Sequence, residues 1–142
     1  MRITSENKIV IFSNELHSET INTAISELSR FLYASAGAVC VSESGIRALN
    51  KNEIGFAIGL AEGKHVSFED KNDDAFVSFV DSGIIYICGK IDRATLYGVY
   101  EFLESVVGVR FLSITATYVP NLKEKGIVVP ESYKKDENPV FD

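Results

Sequence analysis

Glu101 and Glu104, with Tyr97, Tyr100 and Arg110 around them, are the side chains whose types and spacing could do chemistry in this sequence. Hydrolysis of a glycosidic bond uses two carboxylates facing each other across a sugar ring, roughly 5 to 9 Å apart. Glutamates at i and i+3 of a helix have a compatible separation. Both would leave one helix in the same direction, however, and nothing in the pattern builds a cleft above them. They read as solvated acids, and no catalytic residue is assigned.

The aromatic side chains nearby invite a sugar-stacking reading, which divides them. Tyr100 falls on the apolar face of the helix and is expected in the core, with its hydroxyl needing a partner or a route to the surface. Tyr97 lies at the edge of that face and is the better candidate for a contact with another domain. Arg110 sits in an alternating segment, Val109 to Leu112, so its guanidinium can leave the core to meet a partner domain, a sugar or water. Asp92 is placed to cap the helix N-terminus and Arg93 to pair with a nearby carboxylate.

Other chemistries lack their residues. His17 and His65 each stand alone in polar loops, without an H-E-x-x-H or a cysteine pair at ligand spacing, so no metal site is expected. G-x-S-x-G and the phosphate-binding P-loop are missing, no G-x-G-x-x-G follows the first strand, and no cofactor is implied. Glu69, Asp70, Asp73 and Asp74 do not follow an EF-hand pattern and read as a solvated loop. Cys40 and Cys88 lie in apolar runs, where a free thiol behaves as a small hydrophobe.

The elements that must position these residues follow from periodicity. Lys8 to Phe12 (KIVIF) is a short apolar run expected as a buried strand. Ile21, Ala24, Ile25, Leu28, Phe31 and Leu32 then recur at helical spacing, with Ser18 as N-cap, Glu19 in the first turn and Gly37 as the stop. Ala38 to Val41 and Phe56 to Leu60 are expected strands. DAFVSFVDSGIIYICG reads as a hairpin turning at DSG, with Gly83 left-handed. Next, Leu96, Val99, Tyr100, Leu103, Val106 and Val107 share one face of a second helix, and Glu101, Glu104 and Ser105 the other. Gly98 falls on the margin of the polar face, and Gly108 ends the helix. Val109 to Leu112 is extended, GIVVP gives a last short strand, and ESYKKDENPVFD reads as a charged tail.

Two helices, each apolar on one side only, and these strands predict an α+β fold: a two-layer α/β sandwich with a mixed sheet of about five to seven strands. The 142 residues fit one domain. A formal charge of -6 and the lack of a Lys/Arg cluster argue against nucleic acid or an anionic membrane as partner. No run approaches transmembrane length, and the N-terminus lacks a long apolar segment before a cleavage site, so localisation is left open, periplasmic or secreted if a signal peptide has been removed.

One stretch carries more. ICGKIDRATLYGVYEFLESVVGVRFL, followed by TYVP and GIVVP, resembles the N-terminal domain of large bacterial glycoside hydrolases, the alpha-glucuronidases and relatives, and the second domain of family 20 beta-hexosaminidases. The shared features are a strand ending in Gly89, the L-Y-G-V-Y-x-F-L-E run from Leu96 to Glu104, the G-V-R-F of Gly108 to Phe111, Pro120, and Ile127 to Pro130. Ala94 stands where the pattern often has glycine, and Leu112 where a second aromatic residue is common.

In such enzymes a P-x-F, here Pro139-Val140-Phe141, introduces the catalytic (β/α)8 barrel that holds the acids. The resemblance therefore implies a non-catalytic accessory domain, residues 1–133, with 134–142 as a linker toward that barrel. It implies structural roles for Gly98 and Gly108, barrel contacts from Tyr97, Glu101 and Arg110, and glycans as the partner of an alternative, carbohydrate-binding reading.

Overall fold

The computed structural model describes residues 1–61 and 63–139. In chain order the elements are β1 (Arg2–Ile3), β2 (Lys8–Ser13), α1 (Glu19–Ala36), β3 (Val39–Ser44), β4 (Glu53–Ile58), β5 (Phe76–Asp81) and β6 (Ile84–Gly89). They continue with α2 (Asp92–Phe102), a π-helical turn (Leu103–Val107), β7 (Arg110–Phe111), β8 (Thr117–Tyr118), β9 (Ile127–Val128) and β10 (Lys134–Glu137). The result is an α+β two-layer sandwich: a mixed six-stranded sheet, ordered β10-β5-β6-β4-β2-β3, with both helices on one face. Strands β3, β2, β4 and β6 run parallel, and β5 lies antiparallel between β6 and β10. Two small antiparallel pairs, β1 with β9 and β7 with β8, stand apart from it.

The period of two along the strands sorts the core. Ile9 and Ile11 of β2, Ile54, Phe56 and Ile58 of β4, and Ile85 and Ile87 of β6 face the helices. Val10, Phe12, Ala57, Ile84 and Tyr86 face the other way, under Ile46, Leu49 and Phe79, and form a second, smaller core. The loop between β3 and β4 is fastened over that face by Arg47. Its guanidinium donates to Glu43 (2.8 Å) and to both carboxylate oxygens of Glu53 (2.9 and 3.0 Å), while Glu53 also accepts from the Asn50 amide at 2.6 Å. The Arg47 hydrogen bonds, and then that amide, hold the Glu53 carboxyl down at about 2.

Helix α1 matches its sequence signals closely. Ser18 accepts from the Ile21 amide at 3.2 Å, and Gly37 ends the helix at a φ of 72°. The hairpin turn also forms at Asp81-Ser82-Gly83-Ile84, with both Ser82 (φ 53°) and Gly83 (φ 79°) left-handed, the type I′ geometry that suits strand twist.

Three expectations are corrected. Asp92 does not cap α2: the N-cap is Ile91, without a side-chain hydrogen bond, and Asp92 instead accepts from the Ser18 hydroxyl at 2.7 Å, joining the starts of the two helices. The expected charged tail begins with a strand, since Lys134–Glu137 pairs along β5 from Phe79 to Phe76. Its backbone amides and carbonyls, which apolar patterning does not report, complete the sheet edge. Finally, Val99, Leu103 and Val107 of the expected stripe are buried and Leu96, Tyr100 and Val106 pack against them, but α2 also buries Ala94, Thr95, Gly98 and Phe102, so Gly98 belongs to the buried face and not to the polar margin. Phe102 is fully buried, meeting Phe56 (5.4 Å, 83°) and Tyr133 (5.9 Å, 76°) edge to face, a burial worth about 2 to 3 kcal/mol.

Candidate functional site

Helix α2 sits low on the sheet because small residues face it. A Cβ on Gly98 would come within 2.7 Å of Ile87 Cγ2 and 3.1 Å of Phe76 Cδ2, so glycine there lets the helix axis approach. A Cβ on Gly89, the last residue of β6, would lie 2.3 Å from the Thr95 amide nitrogen, and the Gly89 amide donates to Thr95 Oγ1 at 2.9 Å. Strand end and first helical turn are thus in backbone contact. At its other end α2 loosens into the π-helical turn, where the amides of Gly108 and Val109 both reach the Leu103 carbonyl, at 2.9 and 3.0 Å. Gly108 takes the left-handed conformation (φ 94°) that reverses the chain into β7.

These constraints place the sequence-singled residues as follows. Tyr97, Tyr100, Glu101 and Glu104 line a shallow depression of about 340 Å³ with Phe76, Glu137 and Pro139. Tyr97 is 41% exposed; Tyr100 is half-buried, its phenol pushed upward by desolvation. Lys135 stands between two of the acids, 3.3 Å from Glu101 and 3.8 Å from Glu137. Glu104 is exposed. A general acid in glycoside cleavage is usually held protonated by an apolar enclosure. Here the acids stand in an open hollow beside a lysine, without such an enclosure.

Arg110 does not join them. Its Nη1 donates to the Glu104 and Val109 carbonyls, at 3.0 and 3.2 Å, and satisfies acceptors at the end of the helical segment. Next to it, Phe111 stands edge to face against Phe31 (5.6 Å) and Tyr100 (5.3 Å).

The other candidates resolve locally. Among the described residues no group of three or more His, Cys, Asp or Glu side chains is placed to hold a metal ion, and no helix is long and apolar enough to cross a membrane. In the acidic loop, Asp74 pairs with Arg93 at 2.7 Å and Asp73 with Lys90 at 3.7 Å. His17 is held by Asn14 and Asn22. Burial raises the Cys40 thiol to about 11, partly offset by a hydrogen bond with Ser29, and raises that of Cys88 as well. Sequence reasoning missed Glu137 and Lys135 as neighbours of Glu101. They arrive through the pairing of β10 with β5, and only the alternation within KKDE, placing Lys135 and Glu137 on one side of a strand, could have hinted at it. Val140 and Phe141 of the P-x-F lie outside the described residues.

No protein-family model matches this sequence, and no curated protein matches it. Solved structures are similar to it. A family GH115 4-O-methyl-alpha-glucuronidase with specificity for decorated arabinogalactans superposes with a TM-score of 0.67 at 18% identity, over 96% of this chain and 18% of that one. A Flavobacterium johnsoniae chitobiase gives a TM-score of 0.42 at 20% identity, over 84% of this chain and 17% of that one. A GH138 enzyme targeting pectin rhamnogalacturonan II gives 0.45 at 14% identity, over 69% of this chain and 14% of that one. The last two superpositions are too loose to carry an argument. The first establishes the fold: this chain is built like one segment of a much longer glycoside hydrolase.

Proposed function

We propose that this chain is a non-catalytic accessory domain of a larger carbohydrate-active protein, packing against and supporting a (β/α)8 catalytic barrel in the same polypeptide. The observation that carries this reading is the superposition of 96% of the chain on 18% of a glucuronidase. The hollow on α2 agrees with the reading, because Glu104 is exposed and Glu101 and Glu137 are paired with Lys135. Tyr97 and Glu101 are then contacts toward the barrel. Arg110, exposed beside them at the start of β7 and anchored to the Glu104 and Val109 carbonyls, is a further contact toward the barrel. The connection to the barrel begins after β10, not before it.

Extending the coding sequence past Asp142 tests this. A reading frame that continues into eight strand-helix units is expected, and a stop codon directly after Asp142 overturns the proposal. Calorimetric titration of the chain with hexuronic-acid and hexosamine oligosaccharides is expected to give no heat. Saturable heat would move the assignment to a carbohydrate-binding module.

A further inference from the structure

The ribbon of β7 and β8 is the least finished part of the molecule. Every residue from Arg110 to Tyr118 is exposed, Leu112 at 69%, Tyr118 at 53% and Ile114 completely. No charged side chain occurs from Phe111 to Pro120, in a chain that is 24% charged. A lone two-stranded ribbon is marginal in water, and among the described residues this one pairs with no other strand. Of its side chains, Phe111 makes the aromatic contacts that tie it to the body of the fold, against Phe31 and Tyr100. Tyr100 also lines the hollow that holds Tyr97, Glu101, Glu104 and Glu137, so ribbon and hollow form one continuous face.

The chemistry of that face selects its occupant. Phe111 meets Tyr100 and Phe31 at interplanar angles of 84° and 89°, so the rings share no plane on which a pyranose could lie. Leu112 and Ile114 offer a sugar no hydrogen bond but suit protein side chains. Beside them, three carboxylates outnumber Lys135 around an exposed tyrosine ring, a setting that favours a guanidinium or ammonium group. A second copy in two-fold contact centred on the hollow would bring the same carboxylates against each other.

We propose that the β7–β8 ribbon and the adjoining hollow on α2 dock a second folded domain of the same polypeptide, through an apolar surface flanked by an arginine or lysine. The proposal rests on the accessory-domain reading above and names the surface that the domain uses. Hydroxyl-radical footprinting of the longer polypeptide against the isolated chain tests it. Tyr97, Leu112, Ile114 and Tyr118 are expected to lose reactivity about tenfold in the longer protein. Ile114→Asp or Glu104→Lys, at exposed positions that leave the circular dichroism of the isolated chain unchanged, is expected to restore it.

Protection that falls instead on Val39 and Val41 of β3, or around Lys64 and Phe79, overturns the surface but leaves the accessory reading standing. A reading frame that ends at Asp142, or a longer protein in which no residue of this chain is protected, overturns both. Concentration-dependent protection in the isolated chain, with a sedimenting dimer, assigns the face to a second copy and overturns the proposal.

Discussion

Replacing Gly98 by alanine tests how tightly α2 is seated, and the sign of its effect is diagnostic. A new Cβ would lie 2.7 Å from Ile87 Cγ2, where ordinary carbon contacts are about 3.5 to 4 Å. Something must therefore move by about 1 Å. The methyl group it strikes belongs to a fully buried residue in the middle of the sheet, and Phe76 stands 3.1 Å away on the same side. Overpacking of this kind costs about 1 to 3 kcal/mol. Alanine returns about 1 kcal/mol in helix propensity. The net expectation is a loss of about 1 kcal/mol, or roughly 4 °C in Tm for a domain of this size. Thermal unfolding followed by circular dichroism reads it, with Ser26→Ala on the exposed side of α1 as the propensity control. If G98A raises Tm, as replacing an exposed helical glycine should, the close seating of α2 described here is wrong.

Other substitutions probe separate joints of the structure. Ser18→Ala removes both the N-cap of α1 and its bond to Asp92, and is expected to cost about 1 kcal/mol in urea unfolding, with no change refuting the cap. Because the folded-state pKa of Glu53 is depressed to about 2, its contribution is present above the unfolded value near 4.5 and is lost as pH falls between the two. The gap in urea midpoint between the wild type and E53Q is therefore expected to close on acidification through this window, and a gap independent of pH would refute the Arg47 clasp. With thiols raised by burial, Cys40 to about 11, the native chain is expected to react with iodoacetamide at about pH 8 far more slowly than the urea-unfolded chain, and equal rates would show both cysteines open.

How much of this was legible in the sequence differs between the two helices. For α1 the signals are local: the stripe from Ile21 to Leu32, the Ser18 cap and Gly37 all lie within the element they define. The α2 stripe is incomplete rather than wrong: Val99, Leu103 and Val107 are in the core with Leu96, Tyr100 and Val106 packed against it, but periodicity weighs large apolar side chains and so passes over Ala94, Thr95 and Gly98, which the helix also buries. Small residues set how closely the helix approaches, while Val99 and Phe102 supply its apolar burial. The π-helical turn adds a register change after Phe102 that no fixed period anticipates. In the candidate site, the α2 residues could be grouped from their spacing. Lys135 and Glu137 could not, since strand pairing across more than fifty residues brings them there.

β10 has a consequence for anyone who shortens this chain. Cutting at residue 133, where charge and composition suggest the domain stops, removes the neighbour of β5 and leaves Phe76 to Phe79 with an open row of amides and carbonyls. Bare edges of that kind recruit strands from other molecules. The lysines, aspartate and glutamate of KKDE work as a selvedge, finishing the weave with charges that other strands avoid, and a fragment trimmed of them should unravel into aggregates before it unfolds.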